Sequence, residues 1–522
     1  MFKNRDIIHR YIYIFALTVL GVMLPWSEFL MSAVQFLLLG NWILEGRFKN
    51  KLRILKKRKS ILVFISIILV HFIWLFNTTD IKYALHDIQI KIPLLILPLI
   101  IGTSSLLSKK EFIVILKFFI ASVFFASLFS IAIYLGFTKF EYTDYRELSV
   151  FISHIRFSLM IVMAIVIAFY LAKINNSFYK AIYIFAIIWF SVFIFFLQSY
   201  TGILIFIIIT FIAIISIIYN LNKPILKYGI FAVFIIMLFM SFFWIKNSIN
   251  KIQQTNNIDF TKLDKFTVNN NPYINDTTET MTENGTFVTI FINNYELEKE
   301  WNKQSKLPYN GLDNRNNLLK FTLQRYMASK GLRKDSVGFS KLTNNDIINI
   351  ENGMPNYLFV NKFSLYVIMY KILWEYESTK HGQDINNKSI LQRFEYLRIG
   401  KQIFTDNLFL GVGTGDIQQK FNEYYLISDS ELTLKNRLRT HNQILTFLIT
   451  FGIIGFGIIF FGSIYPIFFE QNKEKLLLNS FLIIAFLSFL DEDTLETQPG
   501  VTFIAYFYIL FIFAYKKANF AD

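Results

Sequence analysis

The chain has 522 residues, of which 54% are hydrophobic and 18% aromatic while only 17% are charged, a balance that excludes an ordinary soluble globular protein. A net charge of +15 could point to nucleic acid, but Arg47, Lys49, Lys51, Arg53, Lys56, Lys57, Arg58 and Lys59 lie together in one loop between two apolar runs. That clustering is the pattern of a cytoplasmic loop facing anionic lipid headgroups, so nucleic acid is not an expected partner. There is no cysteine, which excludes disulfides and thiolate metal sites.

In chain order, apolar runs predict membrane spans near 11–25, 28–45, 60–76, 92–107, 112–137, 156–172, 181–199, 203–219, 228–245, 443–469, 476–490 and 501–515. Too many of these runs lack a polar face for a large soluble helical protein. The basic stretch Met1–Arg10 leads into the first run with no small-residue cleavage site, so a retained anchor is expected. With the N-terminus inside, the cytoplasmic segments carry 21 Lys and Arg, and the short outer loops carry 4. This asymmetry predicts both termini inside and the long segment 246–442 outside, because long segments translocate whatever their charge. The expected fold is therefore an all-α polytopic membrane protein of about twelve spans. Residues 1–245 carry nine of them, 246–442 form a mixed, mainly helical periplasmic loop domain, and 443–522 carry three more and a short cytoplasmic tail.

Within the long segment, 246–284 is rich in Asn, Thr and Asp and reads as irregular. Phe287–Ile292 alternates and predicts a short strand, and Leu318–Gly331 predicts a helix closed by Gly331. Over Leu358–Trp374, Phe359, Phe363, Tyr366, Tyr370 and Trp374 recur at helical spacing, with Lys362, Lys371 and Glu375 between and after them. A span here would be short, would carry two lysines and would invert everything that follows. An amphipathic helix at the membrane–water boundary is expected instead.

The candidate chemistry gathers between Ser389 and Gly457. Arg393 lies in a helical stretch approaching the membrane, and a guanidinium grips phosphate through two parallel hydrogen bonds. The alternative is an arginine snorkelling to headgroups or paired with Glu395. Gly411-Val-Gly-Thr-Gly415 lacks the spacing of a dinucleotide fingerprint; it is either an anion-holding turn or a purely conformational loop. His441 stands just before a span with Asn442 beside it, placed either to take a proton from a hydroxyl or simply to start a helix. Arg156, two residues after His154, and Lys91 sit at the outer ends of spans, where ionisable groups are functional candidates. The loop Asp491–Gly500 holds four carboxylates and no base; it could orient His441 or an arginine, bind sugar hydroxyls, or be merely solvated. Arg398, Glu496 and Asn442 join Arg156 and Lys91 as candidate substrate-binding residues. No His/Asp/Glu spacing points to a metal, and none is expected.

Arg393, Gly411–Gly415 and His441-Asn442, followed by a span containing Gly452, Gly455 and Gly457, resemble the O-antigen ligase and O-antigen polymerase superfamily. Ser153–Ser158, Thr322–Asp335 and Asp493–Gly500 look like a subgroup of it found in Bacteroidota. The resemblance implies an inner-membrane, inverting glycosyltransferase that uses neither metal nor other cofactor. Its donor would be a glycan on undecaprenyl diphosphate. Its acceptor would be lipid A–core, a growing glycan or a protein Ser/Thr. Carried over by position, Arg393 would hold the diphosphate, His441 would activate the acceptor hydroxyl and Arg156 would be a second diphosphate contact. A flippase for the same lipid-linked glycan is the competing class. It should show internal repeats or charges deep in mid-membrane, and neither is convincing in this sequence. A non-catalytic assembly or sensor protein is a third possibility, resting on the long loop alone.

Overall fold

The computed structural model describes residues 2–140, 142, 145–219, 224–278, 281–360, 364–380, 385–386, 389–470 and 474–515. The expected tail 516–522, Lys362 and Phe363 lie outside the described residues. The chain divides into two compact units, one of Met1–Ile217 with Arg393–Asp522 and one of Ile218–Gln392.

The helices of the first unit, before the break, are α1 (Phe2–Met23), α2 (Glu28–Glu45), α3 (Phe48–Lys57), α4 (Lys59–Ile73), α5 (Ile81–Lys91), α6 (Pro93–Thr103), α7 (Lys109–Tyr134), α8 (His154–Ile174), α9 (Ser177–Phe196) and α10 (Tyr200–Tyr219). The second unit begins with α11 (Pro224–Gln253) and a two-residue-per-strand hairpin, β1 (Thr282–Glu283) and β2 (Thr286–Phe287). It continues with α12 (Asn294–Gln304), α13 (Leu319–Ser329), α14 (Ser336–Phe339), α15 (Asn344–Glu351) and α16 (Leu365–Lys380). Then come α17 (Ser389–Asp406), α18 (Ile417–Ile427), α19 (Gln443–Phe469), α20 (Lys475–Asp491) and α21 (Gln498–Ile509).

Each predicted apolar run falls on a helix, and the protein is a helical, multi-pass membrane protein. By length and composition, however, nine helices among the described residues can cross a membrane, or ten if α2 and α3, bent by 109°, make one span. The expected count of twelve is not reached because α20 has 17 residues and Gln498–Ala514 is likewise short. At 1.5 Å per residue such helices cover roughly 25 Å of a hydrocarbon layer roughly 30 Å thick. The predicted span 92–107 also shifts, since the apolar helical segment runs Ile81–Thr103 and places Lys91 inside it rather than at its end.

In the first unit α8 and α21 are buried along almost their whole length, so they form the centre of the bundle. Helix α19 packs along α4, and its polypeptide is broken at Gly452, which adopts φ +62°. The segment Leu408–Gly413 docks into that break. Val412 and Gly413 donate their N–H groups to Ile449 and Thr450 carbonyls at 2.9 Å each, and Ile453 donates to Leu408 at 2.9 Å. Glycine is required here by contact as well as by φ. A Cβ on Gly413 (φ +97°) would lie 1.9 Å from the Asn77 carbonyl oxygen, and one on Gly452 would lie 2.2 Å from that of Phe409. The glycine cluster is therefore a conformational joint, and three of its N–H groups, those of Gly411, Val412 and Gly413, are committed to backbone carbonyls.

The second unit has its own core, built on Trp301, Tyr309, Leu323, Tyr326, Met327 and Phe339. The predicted strand 287–292 is realised only at Thr286–Phe287, because Phe291 turns to φ +54° and Ile292 makes only isolated bridges to Ile274 and Lys334. The predicted helix 318–331 is α13, with Gly331 at φ +71° just beyond it. Over the stretch expected to be interfacial, a short turn at Tyr357–Val360 precedes α16, whose 16 residues are not among those able to cross a membrane. Its inner face meets the hairpin. Tyr370 donates to the fully buried Glu283 at 2.9 Å, and the Arg325 guanidinium lies 3.8 Å from the centre of the Trp374 ring.

Gly413→Ala should cost about 2 kcal/mol or more, since it combines a disfavoured φ with a backbone clash. Gly457→Ala, within α19 and with nothing within 4 Å of an added Cβ, should be near neutral. Thermal unfolding of the two detergent-purified variants checks the contrast.

Candidate functional site

Three separated pieces of the first unit meet at the loop between α20 and α21. Helix α17 projects Arg393, whose Nη1 lies 2.5 Å from Asp491 Oδ1 and whose Nη2 lies 2.8 Å from Glu492 Oε1. From the first turn of α8, Arg156 reaches the same carboxylate, Nη1 to Oε2 at 3.2 Å, and donates from Nη2 to the Asp493 carbonyl at 3.0 Å. His441, at the turn before α19, puts Nδ1 3.6 Å from Glu492 Oε2, a contact longer than a hydrogen bond.

His441 is held from both sides. Its backbone adopts φ +49° and donates to Asp493 Oδ2 at 3.1 Å, and its ring stacks on Tyr396 with centroids 5.5 Å apart. Tyr396 stands on α17 one turn from Arg393, so a single helix face supplies both the guanidinium and the stacking ring. The imidazole remains 30% exposed and Arg393 35%, whereas Glu492 is 3% exposed. Burial pushes the Glu492 carboxyl up, but His441, Arg156 and Arg393 together hold it below the usual carboxylate range. Asp493 goes the other way: burial dominates and raises it, although it accepts from Thr446 at 2.6 Å.

Asn442 caps α19, accepting from the Leu445 N–H at 2.9 Å, and its amide donates to the Leu490 carbonyl at 2.9 Å. The residue that starts the helix is thus Asn442, and the His441 side chain is left to the site.

Lys91 and Glu496 belong to a second, closed cluster. Lys91 is 1% exposed and contacts Asp87 at 2.5 Å and Glu496 at 3.1 Å. Glu496 also meets Arg439 at 3.0 Å and accepts from Gln443 at 3.1 Å. Burial would raise the Glu496 carboxyl, but Lys91 and Arg439 hold it far below its ordinary range. The space among Lys91, Arg439, Glu496 and His71 is only about 10 Å³, roughly one water, so no substrate group fits there.

Arg398 is not brought to either cluster. Five residues beyond Arg393 on a helix lies roughly 140° around it, and Arg398 instead pairs with Glu395 at 2.6 Å on its own exposed face. Glu395, weighed above as a partner for Arg393, is taken by Arg398. Among the described residues no group of three or more His, Cys, Asp or Glu is arranged to hold a metal ion.

Tyr396 and Arg439 were not among the residues singled out from the sequence, and Asp491, Glu492 and Asp493 were marked only together, as an acidic loop able to orient His441 or an arginine. The acidic loop carried the signal, since four uncompensated carboxylates next to a bundle containing buried cations call for partners. Which carboxylate meets which cation was not readable.

A polar cluster of two arginines, a histidine and carboxylates at the edge of an apolar helical bundle defines a membrane protein equipped to handle an anionic group. Residues 351–460, which contain Arg393, the glycine loop and His441, match the family model described as O-Antigen ligase. The match covers 110 of the 522 residues, and over that segment the chain is similar to the O-antigen ligase superfamily. This supports a lipid-linked glycan transferase kind of function. A comparison with curated proteins finds no match.

Removing one partner of the closed cluster leaves the others as uncompensated buried charge. Lys91→Met should therefore lower stability by about 3–5 kcal/mol, whereas Arg398→Ala, which breaks only an exposed pair, should change it by less than about 1 kcal/mol. Denaturation midpoints of the two variants in one detergent test this.

Proposed function

We propose that this protein is an inverting, metal-independent glycosyltransferase of the O-antigen ligase type. It moves a glycan from undecaprenyl diphosphate to an acceptor hydroxyl on the periplasmic side of the inner membrane, with lipid A–core as the acceptor. The observation that carries this reading is the convergence of Arg393, Arg156 and His441, from three separate segments, on the carboxylates of Asp491 and Glu492. Two guanidiniums directed at one acidic centre have the charge and the donor geometry to bind a diphosphate. The nearby imidazole is the group able to take a hydroxyl proton.

The reaction follows from those roles. The acceptor O–H gives its proton to His441 Nε2, because Nδ1 faces Glu492. The freed oxygen pair forms a bond to the anomeric carbon from the face opposite the diphosphate, which inverts that centre. The bond from the anomeric carbon to the diphosphate oxygen breaks, and its electron pair stays with the diphosphate. Arg393 and Arg156 stabilise the charge that grows there, an interaction stronger in the transition state than in the ground state. A donor anchored in the same leaflet as the site needs only lateral diffusion to reach it.

The order of Lys and Arg along the chain supports both termini inside and segment 246–442 outside. A reporter fused after Tyr309 should accordingly be active only outside the cytoplasm, and activity inside would overturn this orientation. Arg393→Ala and His441→Ala should each lower glycan transfer by about 100-fold or more, with normal membrane insertion, while Arg398→Ala stays near wild type. Transfer to lipid A–core by membranes of each variant is the measurement. Wild-type rates in both alanine variants would reject the catalytic assignment and leave the flippase reading, for which neither residue does chemistry.

A further inference from the structure

We infer that Glu492 is a positioning residue that changes partners during the reaction: it holds Arg393 and Arg156 until the donor's diphosphate takes them, and then turns to His441. This rests on the reading given under Proposed function and adds a residue and a sequence of events to it.

The geometry of the carboxylate is the first ground. Its Oε1 is well used, with Arg393 Nη2 at 2.8 Å. Its Oε2 is divided between Arg156 Nη1 at 3.2 Å and His441 Nδ1 at 3.6 Å. Charge-assisted hydrogen bonds settle near 2.7–2.9 Å, so both contacts to Oε2 are long and the oxygen is shared. Whichever of the two lets go allows the other to close.

The second ground is Arg156. Its Nε is buried and has no hydrogen-bond partner among the described residues, although both its Nη atoms are engaged. A guanidinium grips a phosphate through two neighbouring N–H groups, and Arg156 has one such group unused. A diphosphate oxygen would meet that need, and Glu492 as placed does not.

Charge supplies the third. A diphosphate and the Glu492 carboxylate cannot both occupy the two guanidiniums, because like charges at such distances repel strongly in a poorly solvated site. Glu492 is 3% exposed and, once displaced, cannot simply turn to water. An uncompensated buried carboxylate is costly, and the imidazole is the remaining group within reach. The other groups around His441 are unsuited to replace it: Asp493 holds its backbone N–H, and Tyr396 covers its ring. Donor binding would thus free Oε2 to fix the imidazole with Nε2 toward the acceptor, so that the base is aligned only when a donor is present.

The test separates donor binding from turnover. With purified full-length protein in nanodiscs, Glu492→Gln removes the competing charge but keeps the shape. Donor KM, and the Kd for undecaprenyl diphosphate, should fall by about threefold or more while kcat falls by about tenfold or more. Glu492→Asp keeps the charge on a shorter stem, so kcat should fall less than in Glu492→Gln and donor KM should stay near wild type. A purely structural role would weaken binding and turnover together. A raised donor KM in Glu492→Gln, or an unchanged kcat, would overturn the inference. If Glu492→Gln fails to insert, Glu492→Asp decides alone, and a raised donor KM with unchanged kcat there would count against it. Wild-type protein that neither binds undecaprenyl diphosphate nor transfers glycan would overturn the functional reading itself, and this inference with it.

Discussion

Burying a carboxylate at the edge of an apolar bundle is unfavourable by several kcal/mol unless it is matched by charge, and Glu492 is matched twice, by Arg393 and Arg156, with the His441 imidazole beside it. Each partner comes from a different helix or turn, so the carboxylate ties the start of α8, the face of α17 and the entry to α19 to one point. The dependence is mutual. Arg156 is almost fully buried and would be left without compensation if Glu492 were elsewhere. The interaction that makes the site possible is thus also one that specifies how these elements meet.

A second constraint operates through the backbone. The joint between Leu408–Gly413 and the break at Gly452 brings two main chains closer than any side chain would allow. On one side of this joint lies α17, carrying Arg393 and Tyr396, and on the other lies α19, introduced by His441. Asp416 reinforces the loop from outside by accepting from the Thr79 and Asp80 N–H groups, at 2.8 Å in each case. The glycines that look like an anion cradle in the sequence act at one remove from chemistry, setting the spacing of the groups that perform it.

How much of this was legible varied by residue, for identifiable reasons. Arg393 and His441 stood out because charged or titratable groups are scarce where a chain prepares to enter lipid, and both lie at the cluster. Arg156 stood out on the same ground and joins them. Lys91 shared that signal but pairs with Asp87 and Glu496 in a space closed to ligands, since a buried ammonium recruits whatever carboxylates the fold brings near. Arg398 was misleading because proximity in sequence is not proximity on a helix. Asn442 was singled out beside His441, and it divides the work with it, capping α19 while its neighbour faces Glu492.

Helix existence, the apolar character of the bundle and the confinement of polar chemistry to a few segments follow from the sequence alone, because they depend on local runs of side chains and on the cost of placing charge in lipid. Pairing does not follow from it. Arg156 and Glu492 are 336 residues apart, and Arg393 and Glu492 are 99 apart. Nothing local says which of four neighbouring carboxylates each cation will meet. That choice is made by the packing of α8, α17 and α19 around the loop between α20 and α21, because an ion pair forms only where the fold delivers both partners within a few ångströms. The number of true spans is decided at the same level: a 17-residue apolar helix is long enough to be recognised and too short to reveal by itself whether lipid or protein surrounds it.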